Sequence, residues 1–307
     1  MAEAQADRQL PLDEEIFLDH VGHFVRDPLA ASRALARAGF APTPLSVQTQ
    51  PDPVGGVPHL TGTGNVTAMF TRGYAEVLFK TADTPLGQEL DAGLARYAGL
   101  HLVALAVADA AAAHARLGGS GFRMRPLVHM QRPVDASGKP GTAAFTVARL
   151  EPGEMPEGRI QLLTHRTEDM VWQPRWLAHP NGALGLTGVV IAVSDMDEAA
   201  RRFARLTGRV ARASAIGQTI DLDRGCVDLV KVSTFSQMFP RLPIPSLPFI
   251  GAYGISVRSL DLVRRILGDG ELSTQRIGSS LVATFPAELG CGAWIFSGPD
   301  AANGDPR

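Results

Sequence analysis

The chain has 307 residues, of which 45% are hydrophobic and 20% charged, and its formal net charge is −2. These values are typical of globular proteins, and at this length two domains are the usual arrangement. Lysine and arginine are scattered along the chain, so nothing indicates a nucleic-acid partner. The apolar runs are much shorter than a membrane span, and we expect no membrane insertion.

The N-terminal segment MAEAQADRQLPLDEE lacks the basic and apolar regions of a secretory signal, and the tail after Pro299 is expected to fray. The only cysteines are Cys226 and Cys291, and neither belongs to a Cys-x-x-Cys pair. Isolated thiols are typical of a reducing compartment and offer no structural zinc site. The sequence therefore predicts a cytoplasmic protein.

One pattern occurs four times along the chain. Each copy is an alternating apolar run that ends on a valine, with Asp or Ser two residues further on. The copies are Asp19–Asp27, His101–Asp109, Gly188–Met196 and Ala252–Leu260. Because Asp or Ser can accept hydrogen bonds from the first N–H groups of a helix, the pattern predicts a strand followed by a helix N-cap. Its recurrence indicates a fold built by duplication.

The rest of each unit is also predictable. The four helices are expected at Pro28–Ala38, Ala110–Leu117, Met196–Leu206 and Leu260–Leu267. Further alternating segments follow, and the last strands are expected at Tyr74–Lys80, Arg159–His165, Cys226–Val232 and Gly292–Gly298. Each unit reads β-α-β-β-β, and because a single unit leaves one face of its sheet uncovered, we expect the units to pair. The predicted fold is α+β, with domains at 14–166 and 184–298 joined by an ordered crossing.

Strand periodicity divides each first strand into two faces. In the first copy, Val21, His23 and Val25 lie on a bulky apolar face that is expected to pack under the helix. His20 lies on the opposite face, whose members are mostly small and are expected to line a cavity. We therefore interpret His23 as a core histidine and His20 as a candidate for chemistry.

The last strands align so that Glu76, Gln161, Asp228 and Trp294 occupy equivalent positions. An acidic side chain inside an apolar strand is costly unless it is paired or bound to a metal. Only in the first unit does such an acid, Glu76, accompany a histidine on the cavity face, His20.

This repeat, with His20 in a first strand and Glu76 in the last strand of the same unit, resembles the vicinal oxygen chelate superfamily. Members include glyoxalase I, extradiol dioxygenases and the fosfomycin- and bleomycin-resistance proteins. The resemblance covers residues 14–298, and the segment 164–183 is similar to the centre of four-module glyoxalase-like proteins. It implies two half-barrel domains of the glyoxalase/dihydroxybiphenyl-dioxygenase type, an N-terminal one that binds a metal and a metal-free C-terminal one.

The superfamily binds a divalent ion with His, Glu and sometimes Gln. Carried over to this sequence, the metal ligands would be His20, Glu76 and Gln161, with His101 or His165 left open as the third ligand instead of Gln161. The ion would be Fe²⁺, Mn²⁺, Ni²⁺ or Zn²⁺. The second unit departs from the pattern because Leu102 stands where the second histidine would be. The neighbouring His101 is out of register and should face away unless a β-bulge re-aims it.

Gln161 and His165 are the candidate catalytic residues. Gln161 is open as a neutral oxygen ligand or a substrate donor. His165 follows four residues later on the same face, and it is open as a ligand, a general base, a substrate contact or a histidine that caps a turn. The remaining loop-like histidines, His59, His129 and His179, are expected at the surface.

Two functions follow from the resemblance. The first is a metal-dependent enzyme, a lyase or a dioxygenase, that acts on a small substrate with vicinal oxygens. The second is a non-catalytic protein that sequesters a small molecule, and the missing ligands at Leu102, Gly188 and Ala252 favour it. The partner in both cases is a small molecule, and a homodimer is left open.

Overall fold

The computed structural model describes residues 8–50 and 57–299; residues 1–7 of the N-terminal segment and the tail 300–307 lie outside the described residues. The first sheet contains β1 (Ile16–Phe24), β2 (Ser46–Gln50), β3 (His59–Met69), β4 (Tyr74–Lys80), β5 (Gly99–Val107), β6 (Val128–Ala136), β7 (Lys139–Arg149) and β8 (Arg159–His165). These strands close into a barrel in the order β1-β4-β3-β2-β6-β7-β8-β5.

The second sheet is open. It contains β9 (Ala183–Val193), β10 (Ala211–Ala213), β11 (Gln218–Asp221), β12 (Cys226–Lys231), β13 (Phe249–Val257), β14 (Thr274–Ile277), β15 (Ser280–Thr284) and β16 (Ala293–Ser297). Their order is β10-β11-β12-β9-β13-β16-β15-β14. In both sheets the first and last strands of a unit pair in parallel, and the two first strands pair antiparallel at the centre.

The helices are α1 (Pro28–Arg37), α2 (Pro85–Arg96), α3 (Ala110–Gly119), α4 (Glu168–Val171), α5 (Met196–Thr207), α6 (Val232–Met238) and α7 (Leu260–Asp269). The four predicted helices are α1, α3, α5 and α7. Their N-caps are the predicted residues, because the side chains of Asp27, Asp109, Asp195 and Ser259 accept hydrogen bonds from the first turns. No helix within the described ranges is long and apolar enough to cross a membrane.

The structure confirms the α+β fold of four paired β-α-β-β-β units, with one difference. The N-terminal pair closes completely rather than forming a half-barrel, because β2 of the first unit pairs with β6 of the second through Thr49 and Gln131. In the C-terminal half the corresponding outer strands are β10 and β14, which have only 3 and 4 residues and do not pair with each other. Closure produces an enclosed interior in the N-terminal half alone.

The bulky faces of the first strands pack in a core that both halves share. Val21, Val103, Val189 and Tyr253 are completely buried there. His23 belongs to the same layer: its Nδ1 lies 3.0 Å from the carbonyl oxygen of Leu289 and its Nε2 lies 3.3 Å from the hydroxyl of Tyr253. Burial lowers the pKa of His23 to about 4. His23 is a core histidine, as the strand period predicted.

One predicted equivalence is wrong. Across the parallel pairs, Glu76 lies beside Gly22, Gln161 beside Ala104 and Asp228 beside Val190. In the fourth unit the residue at that position is Ile295, beside Gly254, whereas Trp294 lies beside Tyr253 on the other face. The indole is fully buried and donates a hydrogen bond to the Tyr253 hydroxyl at 2.7 Å. Because the residues around this position are all apolar, the sequence alone did not show which of the two adjacent residues, Trp294 or Ile295, occupies the position of Glu76.

Candidate metal and ligand site

The interior of the barrel contains a cavity, and His20, Glu76 and Gln161 all line it. At one end Leu90 and Leu94 of α2 pack against inward-facing apolar side chains of the barrel. At the other end the crossing segment packs Val171 and Trp172 against Tyr74. The structure therefore brings the three predicted metal ligands to one enclosed space.

A β-bulge in β1 orients His20. Leu18 pairs with Leu105 and His20 pairs with Ala104, so Asp19 is the extra residue. A bulge breaks the strict alternation of side chains, and here Asp19 reaches its neighbour: His20 Nδ1 donates to the Asp19 carboxylate at 2.6 Å. The imidazole also stacks on Tyr74, with ring centroids 4.4 Å apart. These contacts fix the ring and direct Nε2 into the cavity.

Glu76 is held in a matching way. Its Oε1 accepts hydrogen bonds from Asn65 Nδ2 at 2.6 Å and from Gln48 Nε2 at 3.4 Å. Its Oε2 lies 3.6 Å from Nε2 of His20. Each of the two predicted ligands therefore has one polar atom fixed by a neighbour and the other atom free to bind something in the cavity.

Asp19 is a site residue that the sequence analysis missed. It is fully buried, and its second oxygen, Oδ1, accepts a hydrogen bond from His165 Nε2 at 2.8 Å. Burial alone would raise the pKa of this carboxyl, but the charges of and hydrogen bonds from His165 and His20 outweigh burial and hold the pKa well below its usual range. Asp19 is therefore a carboxylate that bridges two imidazoles.

His165 lies behind Asp19 and is not among the residues that line the cavity. Its ring lies edge-on to Trp172 and Phe145, and its Nδ1 is buried without a hydrogen-bond partner in the described part of the chain. Gln161, by contrast, lines the cavity, and its Oε1 is buried with no partner there. An unsatisfied amide oxygen that lines the same cavity as His20 and Glu76 is the acceptor that a cation or a donor group of a ligand would use.

His101 is the extra residue of a second bulge, since Gly22 pairs with Leu102 and His23 pairs with Leu100. The bulge does not bring it to the cavity: its Nε2 donates to the Tyr97 carbonyl at 2.8 Å, and burial lowers its pKa to about 4.

The surface prediction for the loop-like histidines is right for two and wrong for one. His59 and His129 are exposed. His179 is buried, because the crossing segment packs between the halves: its Nδ1 accepts from the Ala41 N–H and its Nε2 donates to the Met69 carbonyl.

Three arginine side chains also line the cavity, although the scattered distribution of basic residues along the chain did not single them out. They are Arg132 on β6, Arg149 on β7 and Arg159 on β8. The alternation of β7 and β8 places Arg149 on the face of Val147, and Arg159 on the face of Gln161. That alternation was a usable signal in the sequence.

The donor set is compatible with a divalent ion. Two donors bound to one ion at about 2.1 Å each and at a tetrahedral angle would lie about 3.4 Å apart, close to the 3.6 Å between Nε2 of His20 and Oε2 of Glu76. An imidazole, a carboxylate and an amide oxygen suit Mn²⁺, Fe²⁺ or Ni²⁺. The set is sparse, since no group of three or more His, Cys, Asp or Glu side chains among the described residues could hold a metal. Gln161 and oxygens from a substrate would have to complete the coordination.

Solved structures with the same fold include proteins of several kinds. A hypothetical protein from Staphylococcus aureus has a TM-score of 0.60 and 10% identity, with 92% of this chain and 99% of that chain covered. A mutant of 4-hydroxymandelate synthase from Streptomyces coelicolor has a TM-score of 0.54 and 13% identity, with 92% of each chain covered. The Mn(II)-bound glyoxalase from Novosphingobium aromaticivorans has a TM-score of 0.52 and 14% identity, with 93% of this chain and 82% of that chain covered.

No match was found among curated protein sequences. A family model described as a glyoxalase-like domain matches residues 18–207, which is more than half of the chain and includes the barrel except for the first two residues of β1. The chain belongs to the glyoxalase-like domain family, and its fold is that of the vicinal oxygen chelate superfamily.

Proposed function

We propose that this protein is a metal-dependent enzyme of the vicinal oxygen chelate type that acts on a small molecule with two adjacent oxygens. The observation that carries the proposal is the pair formed by His20 and Glu76. Nε2 of His20 lies 3.6 Å from Oε2 of Glu76. Asp19 accepts a hydrogen bond from Nδ1 of His20, and Asn65 donates one to Oε1 of Glu76. Partners that orient ligands from behind are typical of metal sites in proteins. The likeness to a Mn(II)-bound glyoxalase supports the same reading.

A bound divalent ion would supply Lewis-acid polarisation of the two substrate oxygens. The chain's own residues prepare the site for it. Asp19 holds the Nδ1 proton of His20, so that Nε2 presents its lone pair to the cavity. Gln161 offers its free Oε1 as a neutral ligand or as an acceptor for a substrate hydroxyl. His165, bonded to the far oxygen of Asp19, acts as a positioning residue in this proposal, because it does not line the cavity.

Binding of Mn²⁺ alone, followed by the spectroscopic signal of the free ion, tests the site without assuming a reaction. We expect the purified protein to bind Mn²⁺ and His20→Ala and Glu76→Ala to bind it at least about 100-fold more weakly. Asp228→Asn is the matched control, because Asp228 occupies the position of Glu76 in the C-terminal half. If His20→Ala and Glu76→Ala bind Mn²⁺ as the natural protein does, the site proposal is wrong.

The second candidate is a protein that binds a small molecule without reaction. The sparse ligand set among the described residues favours it. In that case the metal-free protein would bind its ligand as tightly as the Mn²⁺-loaded protein. Location in the cytoplasm, a homodimer and the choice between lyase and dioxygenase chemistry stay proposals in either case.

A further inference from the structure

The barrel cavity holds more positive charge than its lining neutralises. Arg132, Arg149 and Arg159 line it, and each is only partly exposed. The one carboxylate among the described lining residues is Glu76, whose oxygens already face Asn65, Gln48 and His20. Guanidinium groups stay charged inside proteins, so this excess calls for an anion from outside the chain.

The three arginines differ in how well they are paired. Arg159 donates to Glu89 at 3.1 Å and lies over the ring of Phe24. Arg149 has a buried Nε without a partner, and its terminal nitrogen contacts only the sulfur of Met130, at 3.1 Å. Arg132 makes no hydrogen bond or ion pair with any residue in 8–50 or 57–299. Of these three arginines, Arg132 and Arg149 are therefore the two that form no ion pair, and Glu76, the one lining carboxylate, acts electrostatically on both.

Strand register connects these arginines to the proposed metal site. His20 pairs with Ala104, Ala104 with Gln161, and Gln161 with Arg149, so the four lie in one row around the inside of the barrel. The residue between His20 and Gln161 in this row, Ala104, has a small side chain. A ligand could therefore contact the His20 end and the Arg149 end at the same time.

Part of the remaining lining is apolar and part is polar. The apolar part consists of Leu78, Leu102, Met130, Phe145, Val147 and Leu163, and the polar part of Gln48, Asn65, Tyr74 and Gln131. A cavity inside a closed barrel of eight strands suits a small molecule rather than a peptide or a nucleotide polymer. Apolar walls beside unpaired guanidinium groups match a ligand with an apolar body and one anionic end.

We propose that the substrate is a small organic anion whose carboxylate or phosphate binds Arg132 and Arg149 and whose apolar body lies against the leucine and valine side chains of the cavity. The inference rests on the proposed function for the reacting end, which would face His20 and Glu76. The anionic end needs no metal, and its binding can be measured separately.

The first experiment measures binding to metal-free protein in the presence of a chelator, by titration calorimetry. The test ligands are benzoate, phenylacetate and phenyl phosphate, with benzamide and phenylacetamide as uncharged counterparts of similar shape and inorganic phosphate as a bare oxyanion. We expect at least one aromatic anion to bind at least about tenfold more tightly than the uncharged counterparts. Preference for phenyl phosphate or for the carboxylates identifies the anionic group. If no anion binds better than the amides, or inorganic phosphate binds as well as every aromatic anion, the proposal is wrong.

The second experiment uses Arg132→Met and Arg149→Met, which keep much of the side-chain volume and remove the charge. Each is expected to weaken binding of the preferred anion at least about tenfold. Neither should lower the melting temperature, because a cation without a partner does not stabilise the fold. Arg212→Met is the control, because Arg212 lines the open cavity of the C-terminal half, and its binding of the anion should be unchanged. Wild-type affinity in both cavity variants, or equal loss in the control, would overturn the assignment.

The same variants separate this inference from the proposed function. If Arg149→Met still binds Mn²⁺ but no longer binds the anion, the metal site and the anionic substrate are both supported. If the natural protein binds Mn²⁺ but no aromatic anion, only the substrate class is wrong. Anion binding without any Mn²⁺ binding would instead remove the metal enzyme and leave an anion-binding protein.

Discussion

The two halves of this protein pair their first and last strands in the same register, but they differ in the residues around the equivalent acidic side chain. In the barrel, Glu76 lies beside Gly22, and His20 precedes that glycine by two residues. In the open sheet, Asp228 lies beside Val190, and Gly188 stands two residues before it. Asp228 accepts a hydrogen bond from Thr219 at 2.6 Å and lines a wide cleft. An acid at the same place lies beside an imidazole in one half and beside the hydroxyl of Thr219 and the thiol of Cys226 in the other.

The comparison shows that the acid alone does not make a site. Where the sheet stays open, water can solvate a carboxylate, so the desolvation penalty of the acidic side chain is small. Where β2 and β6 close the barrel, the acid loses water and needs a partner, and electrostatic interactions are stronger in that less polar interior. Closure and the retained histidine therefore act together, and experiments can test each of them.

The largest effect is expected from Asp19→Asn, which removes the charge that both His20 and His165 use. Loss of a carboxylate that orients a ligand from behind typically weakens metal binding 10- to 100-fold, and we expect this range for Mn²⁺. We also expect the free energy of unfolding, measured in urea at pH 7, to fall by about 3 kcal/mol, because one partner of a buried charged network is lost. The pKa of Asp19 is depressed in the folded state, so its contribution is present above about pH 4, the unfolded pKa, and disappears at lower pH.

Asp228→Asn is the control for that experiment too, since its side chain is reachable by water and it has no histidine before it. Asp228→Asn should change Mn²⁺ binding and the urea midpoint much less than Asp19→Asn does. Wild-type Mn²⁺ affinity in Asp19→Asn would mean that Asp19 is not the partner that orients a metal ligand.

Much of this contrast was predictable from the sequence, and the reasons are local. Helix N-caps at Asp27 and Asp109 depend on a side chain and the next two or three N–H groups, which are adjacent in sequence. The assignment of His20 and Glu76 to one face depends on strand alternation, which holds wherever a strand is regular.

The missed features depend on irregular or distant contacts. Asp19 joins the site only because β1 bulges against β5, and nothing in the alternating pattern marks that bulge. Arg132 reaches the cavity only because β2 and β6 meet, which is a contact between units. The helix α2 was also unexpected, since the segment between two predicted units had no first-strand pattern before it. Trp294 was misplaced by one residue because an all-apolar strand gives no register.

A smaller effect concerns His23, which lies where the two halves meet. Burial lowers its pKa to about 4, so between that pH and about 6.5 the unfolded chain binds a proton that the folded protein does not. Stability is therefore greatest above pH 6.5 and falls on acidification. We expect His23 to contribute about 2 kcal/mol of the loss between pH 7 and pH 5.

Urea unfolding of His23→Gln at both pH values measures that contribution. The variant is expected to be less stable at pH 7, but its loss between pH 7 and pH 5 should be smaller than that of the natural protein by about 2 kcal/mol. His59→Gln, at an exposed position, should leave the loss unchanged. An unaltered pH dependence in His23→Gln would show that the histidine is protonated in the folded core.

The smallest effect is expected from Gln161→Glu, which gives the second unit the acid that the first unit has. A carboxylate adds one negative charge to the cavity that His20 and Glu76 line and should tighten Mn²⁺ binding, but Arg149 pairs with this position across β7 and β8 and would attract the same carboxylate. The gain should therefore stay near fivefold, about 1 kcal/mol, and the aromatic anion should bind more weakly because Arg149 is partly neutralised. Gln173→Glu is the control, because Gln173 also has a buried Oε1 without a described partner but does not line the barrel cavity. If Gln161→Glu changes neither Mn²⁺ nor anion binding, Gln161 faces neither ligand, and the row from His20 to Arg149 does not form one binding surface.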